Sequence, residues 1–104
     1  MRARHSCLLT LLSALCAAPA LAAPTIKIAN VGDSITFGVC GSNGGYPTLL
    51  QGLLGGAYQV RNFGNSGKTM LRYGEPGDSA YWNQTTWAAA QAFNADIYTI
   101  LLGT

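Results

Sequence analysis

TIKIANVGDSITFG, residues 25–38, decides how the rest of the chain is read. Ile26, Ile28 and Val31 belong to a short run that alternates and then turns apolar, which predicts a β-strand ending at Gly32. A single serine, Ser34, follows between Asp33 and Ile35. Taken alone, Asp-Ser after a glycine is a turn or cap where a strand stops. In an open parallel sheet, however, ligands bind at the carboxyl ends of the strands. What Ser34 does therefore depends on what the other strands bring beside it.

Downstream, YPTLLQGLLGG (46–56) predicts a helix. Pro47 suits a first turn, Leu49, Leu50, Leu53 and Leu54 form one apolar face, and Gly55-Gly56 ends it. AYQVRNFG (57–64) predicts a second strand, with Tyr58, Val60 and Asn62 alternating against Gln59 and Arg61. NSGKTMLRYGEPGDSAYW (65–82), rich in Gly, Pro and polar residues, predicts a long surface loop. QTTWAAAQAFN (84–94) predicts a helix with Thr86, Ala90 and Phe93 on one side. DIYTILLGT (96–104) predicts a third strand, apolar from Ile97 to Leu102 and so expected to be buried on both faces. The order β-α-β-loop-α-β implies a parallel sheet covered by helices, an α/β fold. Three strands and two helices make a thin core for about 80 residues. The chain is expected to be the front part of a longer domain.

The first 22 residues have a different character. MRARHSC carries Arg2 and Arg4, and the apolar stretch 8–22 is broken by Pro19 and ends in Ala20-Leu21-Ala22. That pattern predicts a secretory signal peptide over 1–22, cleaved near Ala22 or Ala23, and a secreted or otherwise extracytoplasmic product. The stretch is shorter than the roughly 20 apolar residues of a membrane span, so no stable span is expected. A lipoprotein reading through Cys16 fails at Ser13 and Leu15. Cleavage leaves Lys27, Arg61, Lys68 and Arg72 against Asp33, Glu75, Asp78 and Asp96, a formal charge of 4 − 4 = 0. No basic patch then argues for nucleic acid or an anionic membrane. Cys7 and Cys16 leave too, so Cys40 is a lone cysteine: a free thiol, or one whose partner is elsewhere. The one histidine, His5, also leaves. With neither histidine nor a cysteine pair, no metal site and no cofactor are expected.

If the second and third strands flank the first, three small or polar strand ends meet in one crevice: Gly32-Asp33-Ser34, Gly64-Asn65-Ser66-Gly67 and Gly103-Thr104. That is the layout of a serine nucleophile with an oxyanion hole built from neighbouring loops. GDSIT (32–36), NFGNSG (62–67) and LLGT (101–104) resemble, in order, the first signature blocks of the SGNH hydrolases, the GDSL-type esterases. The resemblance covers essentially all of residues 23–104. It implies a flavodoxin-like three-layer α/β/α sandwich, incomplete here at about its first three strands. It implies Ser34 as nucleophile, the backbone N–H groups of Ser34 and Gly64 as oxyanion donors, and Asp33 and Asn62 in support. YWN and AFNADI look closest to extracytoplasmic members related to sialate O-acetylesterases and other carbohydrate esterases. The substrate implied is an acyl ester, an acetyl ester of a carbohydrate or another small molecule. The family's GTND asparagine and its Asp-x-x-His are not found in these 104 residues. A serine hydroxyl is a poor nucleophile without a base. Asp33 is expected to point away from Ser34 in an extended segment. Losing a triad member costs on the order of 10⁴–10⁶ in rate, so the chain by itself is expected to be inactive.

Two other classes compete. One is a non-catalytic binding module, a hydrolase-like domain that has lost its chemistry. The other is a phosphate loop, since Gly67-Lys68-Thr69 matches the end of a Walker A motif. Asn62 stands where that motif needs glycine, and MLRYGEPG is a poor helix. Lys68 and Arg72 read as solvated loop charges. Tyr81, Trp82 and Trp87 read as core or loop anchors more than as a sugar-stacking platform. Asn83-Gln84-Thr85 is a glycosylation sequon that reads better as a helix N-cap.

Overall fold

A computed structural model describes residues 25–39, 41, 43–72 and 78–103. The expected leader (1–22), Cys40 and Thr104 lie outside these residues. The elements are β1 (Ile26–Gly32), α1 (Ser34–Phe37), α2 (Gly45–Leu54), β2 (Tyr58–Gly64), a 3₁₀ turn (Tyr81–Asn83), α3 (Thr85–Phe93) and β3 (Ile97–Leu101). The strands form one parallel sheet in the order β2-β1-β3, so the first strand is central. Gly32 lies opposite Gly64 on one side and Leu101 on the other. Among the described residues, the ends of β1, β2 and β3 therefore lie side by side.

Helices cover both faces, an α/β arrangement consistent with a flavodoxin-like fold. Ala29, Val31 and Phe63 point to the face where α3 lays Ala90 and Phe93, with Tyr81 completing the buried cluster. Strand side chains alternate between faces, so Gly32 and Gly64 belong to the opposite face. There α1 presses on them. A Cβ on Gly32 would collide with the Thr36 side chain, and one on Gly64 with the Phe37 backbone. Glycine at both strand ends is what lets α1 lie directly on the sheet.

Several sequence expectations shift in physical detail. In α2 Pro47 is buried and Leu50 and Leu54 are half-buried, whereas Leu49 and Leu53 are exposed. Only the stripe spaced 47, 50, 54 faces the sheet. Gln51, at the edge of that stripe, donates to the Tyr58 carbonyl at 2.9 Å and accepts from Val60 N–H at 2.7 Å. The segment after β2 is not purely surface loop. Thr69 and Ala80 form a parallel bridge, and Ala80 and Tyr81 are fully buried. The expectation that β3 is buried on both faces is overturned, because all five of its residues are exposed. The strand is outermost in the sheet and pairs with β1 alone among the described residues. Apolar sequence shows what a strand is able to bury, and position in the sheet decides what covers it.

Candidate active site

Ser34 is the first residue of α1, immediately beyond the carboxyl end of the central strand and half-buried. Its carbonyl accepts the N–H groups of Gly38 (3.0 Å) and Val39 (3.1 Å), which makes α1 a single closed turn. Asp33 caps that turn. Its carboxylate Oδ1 accepts from Ile35 N–H at 3.1 Å, and it is 3% exposed. Asp33 thus spends one carboxylate oxygen on the turn that carries the serine, an Asx-type cap. Strand order reverses at β1, with β2 on one side and β3 on the other. Such a switch point opens the crevice where α/β sheets bind ligands.

Asn62, read from sequence only as a strand residue and a supporting group, does more than that reading showed. Its Nδ2 donates to the Thr36 carbonyl (2.7 Å) and the Gly44 carbonyl (3.1 Å), and lies 3.5 Å from the Phe37 carbonyl. Its Oδ1 accepts Gly64 N–H at 2.8 Å. One amide therefore fastens β2 to the end of α1 and to the start of α2. The Gly64 N–H, expected as an oxyanion donor, is engaged by Asn62 in this structure. No sequence signal distinguishes such an asparagine, because the carbonyls its Nδ2 binds are 18 to 26 residues away. After Gly64, Asn65 N–H bonds the Gly32 carbonyl at 2.9 Å, tying the second glycine-rich end to the first. Lys68 N–H then bonds the Asn65 carbonyl at 3.3 Å, closing a turn with Gly67 at φ +75°.

The loop from α1 to α2 is pinched shut at its base. Gly38 and Gly45 both have positive φ, and a Cβ on Gly38 would sit 2.5 Å from Gly45 N. Buried Thr36 donates its hydroxyl to Tyr46 Oη at 3.4 Å. Between loop and helices lies an open cavity of about 340 Å³, lined by Ile35, Gly38, Gly41, Asn43, Gly45, Tyr46 and Leu49. Ile35 is the residue next to Ser34, so the cavity begins within one turn of it.

The remaining singled-out residues fall away from this crevice or into the core. Tyr81 donates its hydroxyl to the Phe63 carbonyl, and burial pushes its phenol up to about 12. Trp82 and Trp87 stack edge-to-face at 5.0 Å, and Trp82 Nε1 donates to the Met70 carbonyl at 2.7 Å. These aromatics are anchors of the loop and core, as the sequence favoured. Lys68 donates to the Asp78 carbonyl at 3.3 Å, and Arg72 is exposed. Thr69 leads into the bridge with Ala80 and not into a helix, so the phosphate-loop reading loses its geometry. Asn83 does not cap α3; Gln84 holds that position, and Asn83 Nδ2 donates to Asp78 Oδ1 at 3.3 Å. The described residues include no histidine, and among them no cluster of three His, Cys, Asp or Glu is placed to hold a metal.

Compared with known proteins, the chain is 45% identical over 89 residues to an acetylxylan esterase of Xylanibacter ruminicola. The similarity covers 83% of this chain and 18% of that protein, so the chain spans about a fifth of its relative's length. No protein-family model matches the chain. No solved structure matches it either.

Proposed function

We propose that this chain forms the nucleophile end of an exported serine esterase of the SGNH type, removing acetyl groups from a carbohydrate. The observation that carries the reading is the placement of Ser34. It stands on a short capped turn at the end of the central strand, where Gly32 and Gly64 let α1 lie on the sheet. The likeness to an acetylxylan esterase supports both the ester chemistry and the sugar alcohol.

In this reading the Ser34 oxygen attacks the acetyl carbonyl while a base takes its proton. The C–O bond to the sugar breaks, the sugar oxygen leaves as an alcohol with that proton, and an acetyl-serine remains. Water then attacks the acetyl-serine, giving acetate and free Ser34. Backbone donors hold the negative oxygen formed at each attack. Ser34 N–H is one such donor. Gly64 N–H serves as the second only if Asn62 Oδ1 gives up or shares it. Asp33 and Asn62 position this backbone and do not touch the ester. The base must come from outside the described residues, which contain no histidine. Residues 1–22 act as the export signal.

The test uses 4-nitrophenyl acetate. The isolated 104-residue chain is expected to show no turnover that depends on Ser34. A longer form of the protein that includes an Asp-x-x-His segment is expected to hydrolyse the ester, with Ser34→Ala lowering kcat by about 10⁴ or more. Full activity in that variant would sink the reading. A binding module without chemistry would instead leave both forms inactive and form no acetyl-enzyme detectable by mass spectrometry.

A further inference from the structure

We infer that the cavity between α1, the 38–45 loop and α2 is the subsite for the sugar ring that carries the ester, with Tyr46 as its platform. This deepens the esterase reading and rests on it. Position is the first argument. Ile35 follows Ser34 directly, and Gly38 donates its N–H to the Ser34 carbonyl, so the cavity opens beside the turn that presents the hydroxyl.

Size is the second. At about 340 Å³ the cavity stands near the lower end of ligand-sized pockets, roughly 300–1,000 Å³. An acetyl group, with two carbons and one oxygen, would leave most of it empty. A single pyranose ring matches it better.

Lining chemistry is the third. Ile35, Leu49 and the Tyr46 ring offer apolar surface to the C–H face of a sugar, as aromatic and aliphatic side chains do in such sites. The Asn43 amide and the Tyr46 hydroxyl offer polar groups to its hydroxyls. Tyr46 accepts from Thr36, so its own proton is left to donate. Gly38, Gly41 and Gly45 contribute no side chains, and a ring can approach the backbone there.

Preorganisation is the fourth. Asn62 holds the Thr36 and Gly44 carbonyls together, Gly38 packs on Gly45, and Thr36 fixes Tyr46. The base of the loop is locked before any ligand arrives, which lowers the entropic cost of binding. A long acyl chain would need a closed tunnel, whereas this cavity is open, and its largely apolar lining is broken by the polar groups of Asn43 and Tyr46. That mixture suits the face and the hydroxyls of a sugar ring.

The experiment titrates the ¹⁵N-labelled 104-residue chain with unacetylated xylotetraose, a probe that has no bond to cleave. Amide shifts are expected at Gly38, Gly41, Asn43, Gly45 and Tyr46. Leu49→Trp, which fills the cavity from an exposed position, should weaken binding at least tenfold, and Tyr46→Ala should do the same. Leu53→Trp, on the same helix but facing water, should leave binding unchanged. Retained signal dispersion in each variant shows that it is folded. Absence of binding, shifts confined to other residues, or equal binding by the Leu49 and Leu53 variants would overturn the subsite. The esterase reading fails separately, on 4-nitrophenyl acetate, whose activated leaving group departs without needing this cavity. Sugar binding without Ser34-dependent hydrolysis in the longer form would keep the subsite and discard the chemistry; the reverse result would do the opposite.

Discussion

β2 and β3 flank the same central strand, run parallel to it and are each followed or ended by a glycine, but they meet water on very different terms. The outer edge of β2 is capped by local groups. Gln51 takes the Tyr58 carbonyl and the Val60 N–H, Gly55 takes Tyr58 N–H, and Asn62 takes Gly64 N–H. Gln51 behaves as a fragment of a missing strand, which is one way to protect an edge. β3 has no such cover among the described residues, and its apolar side chains stand exposed. At their ends the contrast repeats. Gly64 is wedged against α1, while a Cβ on Gly103 would meet nothing within 4 Å. Burial in this sheet follows the company a strand keeps and not its hydrophobicity.

Adding a methyl group at each glycine should separate the two strands most widely. Gly64→Ala places a carbon on the Phe37 backbone and is expected to cost about 3 kcal/mol or more in urea denaturation. Gly103→Ala meets only the strain of positive φ, about 1–2 kcal/mol. Equal losses would mean that α1 does not rest on β2 as described.

Asn62→Ala should have the next largest effect. Two carbonyls lose their donor and Gly64 N–H loses its acceptor, for an expected cost of about 2–3 kcal/mol. Hydrogen exchange should quicken at Gly38 and Gly45 in that variant, while the amides of β3 keep their rates.

Tyr81→Phe is expected to cost about 1 kcal/mol, because the buried hydrogen bond from its hydroxyl to the Phe63 carbonyl of β2 is lost. Its pH dependence has a fixed sign. The folded state raises the phenol from 10.0 to about 12, so it holds the proton more tightly than the unfolded chain does. The resulting stabilisation is complete below the unfolded value and is lost as pH rises through the folded one. Wild type should therefore lose stability between pH 10.0 and about 12, and the phenylalanine variant should lack that component.

The smallest effect belongs to β3. Ile100 is 46% exposed, and Ile100→Ala should change stability by less than about 1 kcal/mol, measured the same way. A loss as large as that of a core residue would show that β3 is covered in solution.

These contrasts also mark what the sequence made legible. Alternation, Pro47 and the Gly55-Gly56 stop place β1, β2 and α2 within a residue or two, since those signals are local. The meeting of Gly32 and Gly64 was legible as a conditional, waiting only for the strand order. The Asn62 clasp was not legible, because an amide that binds distant carbonyls looks like any strand asparagine. The exposure of β3 was misread for a related reason: a run from Ile97 to Leu102 records what the strand is able to bury, not its neighbours. Asp33 is expected to point away from Ser34 and to act in support, and the structure shows the form of that support, a cap on the turn that carries Ser34.

Asn30 lies fully buried in the middle of β1. Its Nδ2 donates to Thr99 Oγ1 at 2.6 Å across 69 residues of chain, while its Oδ1 has no partner. That single amide acts as a registration mark. Were β3 to slide by one residue, Thr99 would turn to the opposite face and the buried amide would lose its acceptor as well. The outermost strand among the described residues is therefore the one whose register is marked by a polar side chain on the central strand.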